Sequence, residues 1–95
     1  MNKYELLFII SSSTTEEVRE TLIEKFKSFI ESKAGVIEGV DKWGMKKFAY
    51  PINFKTEGFY VLINFSSAPE VIAELDKKMS LSEDIVRQMF VKKSK

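Results

Sequence analysis

The sequence predicts an α+β domain in which two helices cover one face of a four-stranded antiparallel sheet. Apolar residues at every second position, or on both registers of an extended segment, are typical of strands, and such segments lie at residues 3–10, 36–50, 59–66 and 85–91. Apolar residues at steps of three and four are typical of helices, and two such segments begin near residues 14 and 68. The order is therefore strand, helix, strand, strand, helix, strand, with the middle strands joined as a hairpin.

The length and composition predict a single domain, residues 1–95, that is neither a membrane protein nor a secreted one. Hydrophobic residues make up 44% and charged residues 31% of the chain, values typical of soluble globular proteins. No apolar run approaches the about 20 residues of a membrane helix, and the N-terminus lacks the features of a secretory signal. Because there is also no cysteine to form disulfides, a cytoplasmic location is the simplest prediction.

The chain contains neither cysteine nor histidine, which removes much catalytic and metal chemistry. A thiolate nucleophile, an imidazole base, a serine protease triad and the usual zinc ligand sets each need one of these residues. The acidic residues lie mostly at helical surface spacing, among bases. We therefore predict that the protein is not an enzyme and that it binds no cofactor, metal or small-molecule substrate.

The first strand, residues 3–10, is apolar on both of its registers. Tyr4, Leu6, Phe8 and Ile10 lie on one register, and Leu7 and Ile9 lie on the other. A strand that is apolar on both sides is covered, wholly or in part, on both faces, which predicts a central position in the sheet.

The first helix is predicted to begin near residue 14, because Ser13 with Glu16, or Thr14 with Glu17, has the spacing of a capping box. Gly35 is predicted to end this helix in the left-handed conformation. The apolar stripe of the helix consists of Val18, Leu22, Phe26, Phe29 and Ile30.

The second strand, residues 36–50, is long for a single strand, so we expect Gly44 to mark a bulge within it. Pro51 cannot donate a backbone hydrogen bond, which predicts a position at the edge of the sheet. Residues 53–58 are predicted to form the turn of the hairpin. The returning strand, residues 59–66, is apolar on both sides, like the first strand.

The second helix is predicted to begin at residues 67–70, where Pro69 stands in the first turn and needs no amide partner. The last strand follows at residues 85–91. This element order is the split β-α-β arrangement, or ferredoxin-like plait. Right-handed crossovers then place both helices on one face and make the first and third strands central. The apolar stripe of the second helix is Val71, Ile72, Leu75 and Met79.

The face of the sheet that the helices leave open is also predicted to be apolar. The side chains expected there are Leu7, Ile9, Tyr60 and Leu62, or, with the faces inverted, the equally apolar opposite register. Such a face indicates a docking surface for another protein or for stacked bases. The alternative is that long lysine and arginine stems cover it.

Basic residues are concentrated in two parts of the chain. Residues 41–55 contain Lys42, Lys46, Lys47 and Lys55 against Asp41, and residues 85–95 contain Arg87, Lys92, Lys93 and Lys95 without an acid. The second and fourth strands are opposite edges of the predicted sheet, so the two groups are expected to lie apart. A curved RNA surface could contact both groups, whereas a compact small-molecule site could not.

The segment from Trp43 to Ile52, Trp-Gly-Met-Lys-Lys-Phe-Ala-Tyr-Pro-Ile, resembles the signature of the bacterial small-subunit ribosomal protein S6 family. That signature has a glycine, any residue, a basic pair, an apolar residue, a small residue and Tyr-Pro-Ile. The apolar residue is usually leucine, and Phe48 takes its place here. The segments that resemble the same family elsewhere in the chain are Lys3-Tyr4-Glu5 followed by apolar residues, Gly58 to Leu62, and Ile85 to Arg87 with Val91-Lys92.

The resemblance implies a structural constituent of the small ribosomal subunit that binds small-subunit ribosomal RNA jointly with ribosomal protein S18. We also predict that the free chain is a monomer. A net charge of +1 fits this function, because phosphate contacts are then few and a basic partner would supply the rest. The predicted RNA contacts are Lys3, Lys46, Lys47, Lys55, Arg87, Lys92 and Lys93. The predicted contacts with the protein partner are Trp43, Tyr60 and Leu62. The aromatic residues expected to pack into the fold are Tyr4, Phe48 and Tyr50.

Other functions on the same fold fit the sequence less well. An RNA-recognition motif needs a basic residue and further aromatic residues in its third strand, where this chain has Glu57, Val61 and Asn64. An acylphosphatase-type enzyme needs an arginine in a phosphate-binding loop, and residues 11–15 contain none. The remaining alternative is a non-enzymatic interaction module outside the ribosome that forms a homodimer through its open sheet face.

Overall fold

The computed structural model describes residues 2–52 and 55–93 and shows two helices packed on one four-stranded sheet. Its elements are β1 (Asn2–Ser11), α1 (Glu16–Ser32), β2 (Val36–Ile52), β3 (Lys55–Ser67), α2 (Pro69–Ser80) and β4 (Ile85–Lys92). The strands lie in the order β2-β3-β1-β4, and neighbouring strands are antiparallel. The predicted fold is therefore confirmed, with β1 and β3 central and with β2 and β4 at the edges.

The hydrophobic core lies between the helices and the sheet face that carries the even-numbered residues of β1. The ring of Phe8 meets that of Phe26 in α1 edge to face, with centroids 5.6 Å apart. Burying an aromatic side chain of this size stabilises the fold by about 1.5–3 kcal/mol. Because side chains alternate along a strand, the odd-numbered residues of β1 face away from the helices. The buried residues of β1 and β3 in this core are Tyr4, Leu6, Phe8, Ile10, Val61, Ile63 and Phe65.

Helix α1 begins later than either predicted capping box. Its N-cap is Thr15, whose hydroxyl accepts a hydrogen bond from the Val18 amide at 3.3 Å. The Thr14 hydroxyl instead donates to the Ser11 carbonyl at 2.7 Å, and the Ser13 hydroxyl bonds to the Ser11 hydroxyl at 2.9 Å. Both predicted caps are therefore wrong, because the preceding turn uses their hydroxyl groups.

The apolar stripe of α1 is rotated slightly from the predicted one. Val18, in the first turn, is 38% exposed. Phe29 packs at the margin of the core, where the ammonium groups of Lys33 and Lys78 lie 5.7 and 5.3 Å from its ring centroid. The residues of α1 that are buried are Leu22, Ile23, Phe26 and Ile30.

Helix α1 ends through Ala34 in the left-handed conformation, rather than through Gly35 as predicted. Ala34 has φ of 64°. Its amide donates to the Glu31 carbonyl at 3.1 Å, and the Gly35 amide donates to the Ile30 carbonyl at 2.9 Å, which is the bond pattern of a Schellman motif. Gly35 is needed for close packing instead, because a Cβ there would lie 2.5 Å from Ile30 Cγ2 and 3.0 Å from the Ser66 carbonyl oxygen.

The hairpin of β2 and β3 pairs over a greater length than predicted. Lys47 pairs with Glu57 and Ile52 pairs with Lys55, with a register shift between these two pairs. Residues 55–58, predicted as part of the turn, therefore belong to β3.

Two glycines of the hairpin have distinct structural reasons. The bulge predicted at Gly44 is present, since the register shifts between Lys42 and Gly44 and Gly44 has φ of 92°. Gly58 lies within a strand, and a Cβ there would lie 2.4 Å from Ile9 Cγ2. Glycine at this position therefore allows β1 and β3 to approach closely under the Ile9 side chain.

Helix α2 begins at Pro69, as predicted, with Ala68 as an N-cap that supplies no side-chain hydrogen bond. The Gln88 amide group of β4 reaches this helix, donating to Asp76 Oδ1 at 3.0 Å and to Ser80 Oγ at 2.8 Å. The buried residues of α2 are Val71, Leu75 and Met79. In the described part of the chain, neither helix has the length and apolar character needed to cross a membrane.

Candidate nucleic-acid and protein interface

The sheet face opposite the helices is open and largely apolar, as predicted. Strand pairing arranges its side chains in rows that run across β3, β1 and β4. Two adjacent rows contain the side chains that were expected on this face. One of them also contains Met89, which was not predicted there. From one end to the other, the rows are Asn64, Glu5 and Val91; then Leu62, Leu7 and Met89; then Tyr60, Ile9 and Arg87.

An aromatic group lies at the β2 side of this face. The Trp43 ring is parallel to the Tyr60 ring, with centroids 6.3 Å apart and an interplanar angle of 7°. Trp43 Nε1 donates to Asp41 Oδ2 at 3.2 Å, which holds the indole in this orientation. The Phe48 ring is tilted against Tyr60 at 6.2 Å. Two predicted partner contacts, Trp43 and Tyr60, are thus in contact with each other, and Phe48 packs on the open face rather than in the core.

The bulge at Gly44 explains why these rings meet. Gly44 lies opposite Tyr60, and Trp43 is the extra residue where the register shifts. If the pairing from Gly44 onward were kept and the strand had no extra residue, alternation would place Trp43 and Asp41 on the helix-covered face, opposite to Phe48. The bulge therefore lets β2 present Trp43 and Phe48 to the same ring.

A shallow depression of about 200 Å³ lies beside the aromatic group on the open face. Arg87, predicted to contact RNA, lines this depression and lies opposite Ile9. It is therefore part of the same surface as the predicted partner contacts. Met89 and Val91 alternate with Arg87 along β4, so a period-two pattern was the signal that could have identified them. The residues that line the depression are Leu7, Ile9, Tyr60, Arg87 and Met89.

The charges on the open face are mixed rather than uniformly basic. The Ser66 hydroxyl donates to Glu38 Oε2 at 2.7 Å, and Asn64 Oδ1 is buried without a hydrogen-bond partner in the described residues. Carboxylates repel phosphate, so this face suits a protein surface better than an RNA backbone. The charged residues on this face are Lys3, Lys46 and Arg87 together with Glu5, Glu38 and Asp41.

The predicted RNA contacts on β2 lie at an edge of the sheet. Lys46 lies opposite Gly58 and Lys47 opposite Glu57, and both lysine side chains are exposed. Because consecutive side chains alternate, Lys46 belongs to the open face and Lys47 to the helix-covered face. The side chain of Lys55 lies outside the described part of the structure.

The remaining predicted RNA contacts lie near β4, at the opposite edge. Lys92 faces Tyr4 across β1 and β4, and the Lys93 amide donates to the Lys3 carbonyl at 2.9 Å. Lys3, Lys92 and Lys93 are thus brought together at one end of this edge, although they are distant in sequence. Tyr4 itself is buried against Phe65, as expected for a core residue.

Ion pairs of the described residues leave the predicted RNA contacts available. The Lys42 ammonium lies 2.7 Å from a Glu20 carboxylate oxygen, so this lysine of the β2 group is paired with helix α1. The other ion pairs join Lys33 to Glu74 and Lys27 to Glu24, each at 3.5 Å. Among the side chains that the structure describes, which exclude that of Lys55, no ion pair includes a predicted RNA contact.

Comparison with known proteins identifies the family. The sequence model of the family described as ribosomal protein S6 matches residues 3–92. The chain belongs to the ribosomal protein S6 family. Small ribosomal subunit protein bS6 of Alkaliphilus metalliredigens is 48% identical over 97% of this chain and 97% of its own length. The bS6 protein of Clostridium novyi is 46% identical over 100% of both chains. The S6 family is one of structural proteins of the small ribosomal subunit and is not enzymatic.

Solved structures support the S6 assignment and the fold. The crystal structure of 30S ribosomal protein S6 from Thermotoga maritima matches with a TM-score of 0.92 and 35% identity, covering 97% of this chain and 87% of that chain. The C-terminal domain of the MgtC protein from Mycobacterium tuberculosis matches with a TM-score of 0.61 at 12% identity, covering 98% of this chain and 88% of that chain. The second similarity shows the fold alone, since the same plait serves unrelated functions.

Proposed function

We propose that this S6-family chain binds small-subunit ribosomal RNA together with ribosomal protein S18. The observation that carries the proposal is the separation of two kinds of surface on one sheet. The open face is apolar with mixed charge, and exposed bases without ionic partners among the described residues lie at both sheet edges. One surface suits a protein, and the other suits phosphate.

The open face supports contact with the protein partner. Aromatic residues are enriched at the cores of protein interfaces and often carry much of the binding energy. The stacked Trp43 and Tyr60 rings offer a flat aromatic surface, and Leu62 extends it along β3. The adjacent depression has room for one large apolar side chain of the partner. We therefore assign Trp43, Tyr60 and Leu62 to the contact with S18.

The sheet edges support contact with RNA. Each phosphate that a lysine or arginine neutralises releases counterions, which favours binding. The exposed bases form two groups, one on β2 and one at the β4 side, that lie too far apart for one compact anion. A folded RNA could reach both edges. The first group is Lys46 and Lys47, and the second is Lys3, Lys92 and Lys93. With a net charge of only +1, the chain makes a small electrostatic contribution by itself. S18 binding and RNA binding are therefore expected to be cooperative.

The proposal is tested by reconstitution with small-subunit ribosomal RNA in the presence and absence of S18. Mobility-shift titrations should show that the chain joins the complex at a much lower concentration when S18 is present. An unrelated structured RNA of the same length is the control, and it should not support a ternary complex. Equally tight binding to the ribosomal RNA alone would contradict cooperative assembly.

A location on the cytoplasmic ribosome follows from the same proposal. Sedimentation of a cell extract through a high-salt gradient should recover the chain with small subunits. The alternative, a homodimeric module outside the ribosome, requires the chain to remain near the top of that gradient.

A further inference from the structure

Tyr50 differs from the other aromatic residues of β2 in being largely exposed. Its side chain is 76% exposed, compared with 44% for Trp43, and Phe48 is partly buried against Tyr60. The expectation that Tyr50 packs into the fold is therefore wrong. A ring with this exposure contributes little to the core.

The position of Tyr50 places it on an arm that extends beyond the four-stranded part of the sheet. Strand β1 ends at Ser11, which lies opposite Gly58, and Gly58 lies opposite Lys46. Beyond this row, β2 continues through residues 47–52 opposite residues 55–57 of β3, with a register shift between the Lys47–Glu57 pair and the Ile52–Lys55 pair. On the β3 side, residues 55–57 at about 3.3 Å each extend this segment for about 10 Å. Tyr50 therefore lies on a two-stranded arm beyond the ends of β1 and β4.

Lys46, at the base of the arm, and Lys47, at its start, lie close to Tyr50 in the sequence. Lys46 and Lys47 precede it on the same strand and are exposed on opposite faces. Neither lysine takes part in an ion pair of the described residues. An exposed aromatic ring next to unpaired cations is the combination with which proteins hold single-stranded or unstacked nucleotides.

We propose that Tyr50 is a stacking platform for an unpaired base of RNA, with Lys46 and Lys47 holding the adjoining phosphates. The inference rests on the proposed RNA-binding function and adds a specific contact to it. Stacking needs only the face of a base, so Tyr50 tolerates any of the four bases. The arm therefore contacts an unpaired stretch or a helix end rather than the interior of a continuous RNA duplex.

An RNA base fits this setting better than a protein partner does. The protein contact proposed above lies on the four-stranded part of the sheet, around Tyr60, rather than on the arm. A partner protein that is itself basic would be repelled by Lys46 and Lys47. Phosphate groups on either side of a stacked base would be attracted by the same lysines.

The test compares Tyr50→Val and Tyr50→Phe in binding to small-subunit ribosomal RNA with S18 present, at several salt concentrations. Valine keeps a β-branched side chain in the strand but removes the ring, whereas phenylalanine keeps the ring. We expect Tyr50→Val to weaken RNA binding about tenfold with an unchanged salt slope, because stacking neutralises no phosphate. Tyr50→Phe should remain within about twofold of the wild type.

Leu81→Ala is the matched control, because Leu81 is also 76% exposed but lies at the C-terminal end of α2. It should leave RNA affinity unchanged. If the wild type binds RNA and Tyr50→Val binds it with the same affinity, the stacking contact is overturned but the proposed function stands. Failure of the wild type to bind RNA overturns both. A loss confined to S18 binding in the absence of RNA overturns the stacking contact and assigns Tyr50 to the protein interface.

Discussion

The neighbours Ala34 and Gly35 show how two small residues can meet different requirements at one junction. Ala34 takes the left-handed conformation, with φ of 64°, which is sterically unfavourable for any residue with a Cβ. Gly35 instead leaves room for Ile30 Cγ2, which an added Cβ would approach to 2.5 Å. The backbone requirement and the packing requirement therefore fall on different residues.

Ala34→Gly should stabilise the protein. The left-handed conformation costs alanine about 1–2 kcal/mol, and glycine loses about 0.5–1 kcal/mol more backbone entropy on folding than alanine. The net gain in unfolding free energy is about 0.5–1 kcal/mol, which corresponds to a rise of several degrees in Tm for a domain of this size. Urea and thermal unfolding measure both quantities.

Gly35→Ala is the informative comparison for that variant. The added methyl group would meet the Ile30 carbonyl oxygen at 2.8 Å as well as the Ile30 side chain. Forcing a group into such a space costs about 1–3 kcal/mol, so this variant should unfold more readily than the wild type. Equal stability of the two variants and the wild type would contradict the assignment of Ala34 as the left-handed residue.

At the scale of elements, β2 presents different chemistry on its two faces. Trp43 and Met45 are similarly exposed, at 44% and 43%, but Met45 lies opposite Phe59, whose side chain belongs to the helix-covered face. Trp43 stacks on Tyr60 of the open face. The two residues therefore form a matched pair for testing which face receives S18.

Trp43→Ala should weaken the complex with S18 by about 30-fold or more, because truncation of an interface tryptophan commonly costs at least about 2 kcal/mol of binding free energy. Met45→Ala should change the affinity by less than about threefold. Isothermal titration of purified S18 with each variant measures the difference. Equal losses from the two variants would place the contact elsewhere on the strand.

The same strand carries the two lysines, Lys46 and Lys47, that we propose contact RNA. Lys46→Ala combined with Lys47→Ala should lower RNA affinity and reduce the slope of log affinity against log salt by up to about two phosphate units. The control is Lys25→Ala combined with Lys77→Ala, which removes the same charge from exposed positions on the two helices. An unchanged slope in the Lys46 and Lys47 variant would remove these lysines from the RNA contact.

At the scale of the whole molecule, charge is distributed unevenly within a chain whose net charge is only +1. Acidic residues of the helices form the ion pairs with Lys27, Lys33 and Lys42. The bases that take part in none of these pairs include Lys46 and Lys47 on β2 and Lys3, Lys92 and Lys93 near β4. The molecule therefore keeps local basic regions without a strong overall positive field.

The free chain should sediment as a monomer at micromolar concentration, as the sequence analysis predicts. The open face carries Lys46 and Arg87 as well as Asp41 and Glu5, and burying these charges against a second copy opposes dimer formation unless each one finds a partner. Analytical ultracentrifugation measures the mass. A stable dimer would instead support the homodimeric module and would make the open face unavailable to S18.

Much of the fold could be predicted because apolar periodicity reports the dominant free-energy term, the burial of side chains. The four strands and two helices, the edge position of β2 and the bulge at Gly44 all follow from local patterns, and the structure confirms them. The family resemblance rested on a contiguous segment and is confirmed by matches over nearly the full chain.

The sequence by itself therefore determined the element order, the family and the candidate residues. Only the tertiary structure decided that Thr15 caps α1, that Ala34 ends it, that Arg87 lies beside Tyr60 and that Tyr50 is exposed. The physical reason is that each of these outcomes depends on which groups compete for a hydrogen bond, or on which residues the strand register brings together. Local pattern specifies the face of an element, whereas neighbours that are distant in the sequence determine what that face contacts.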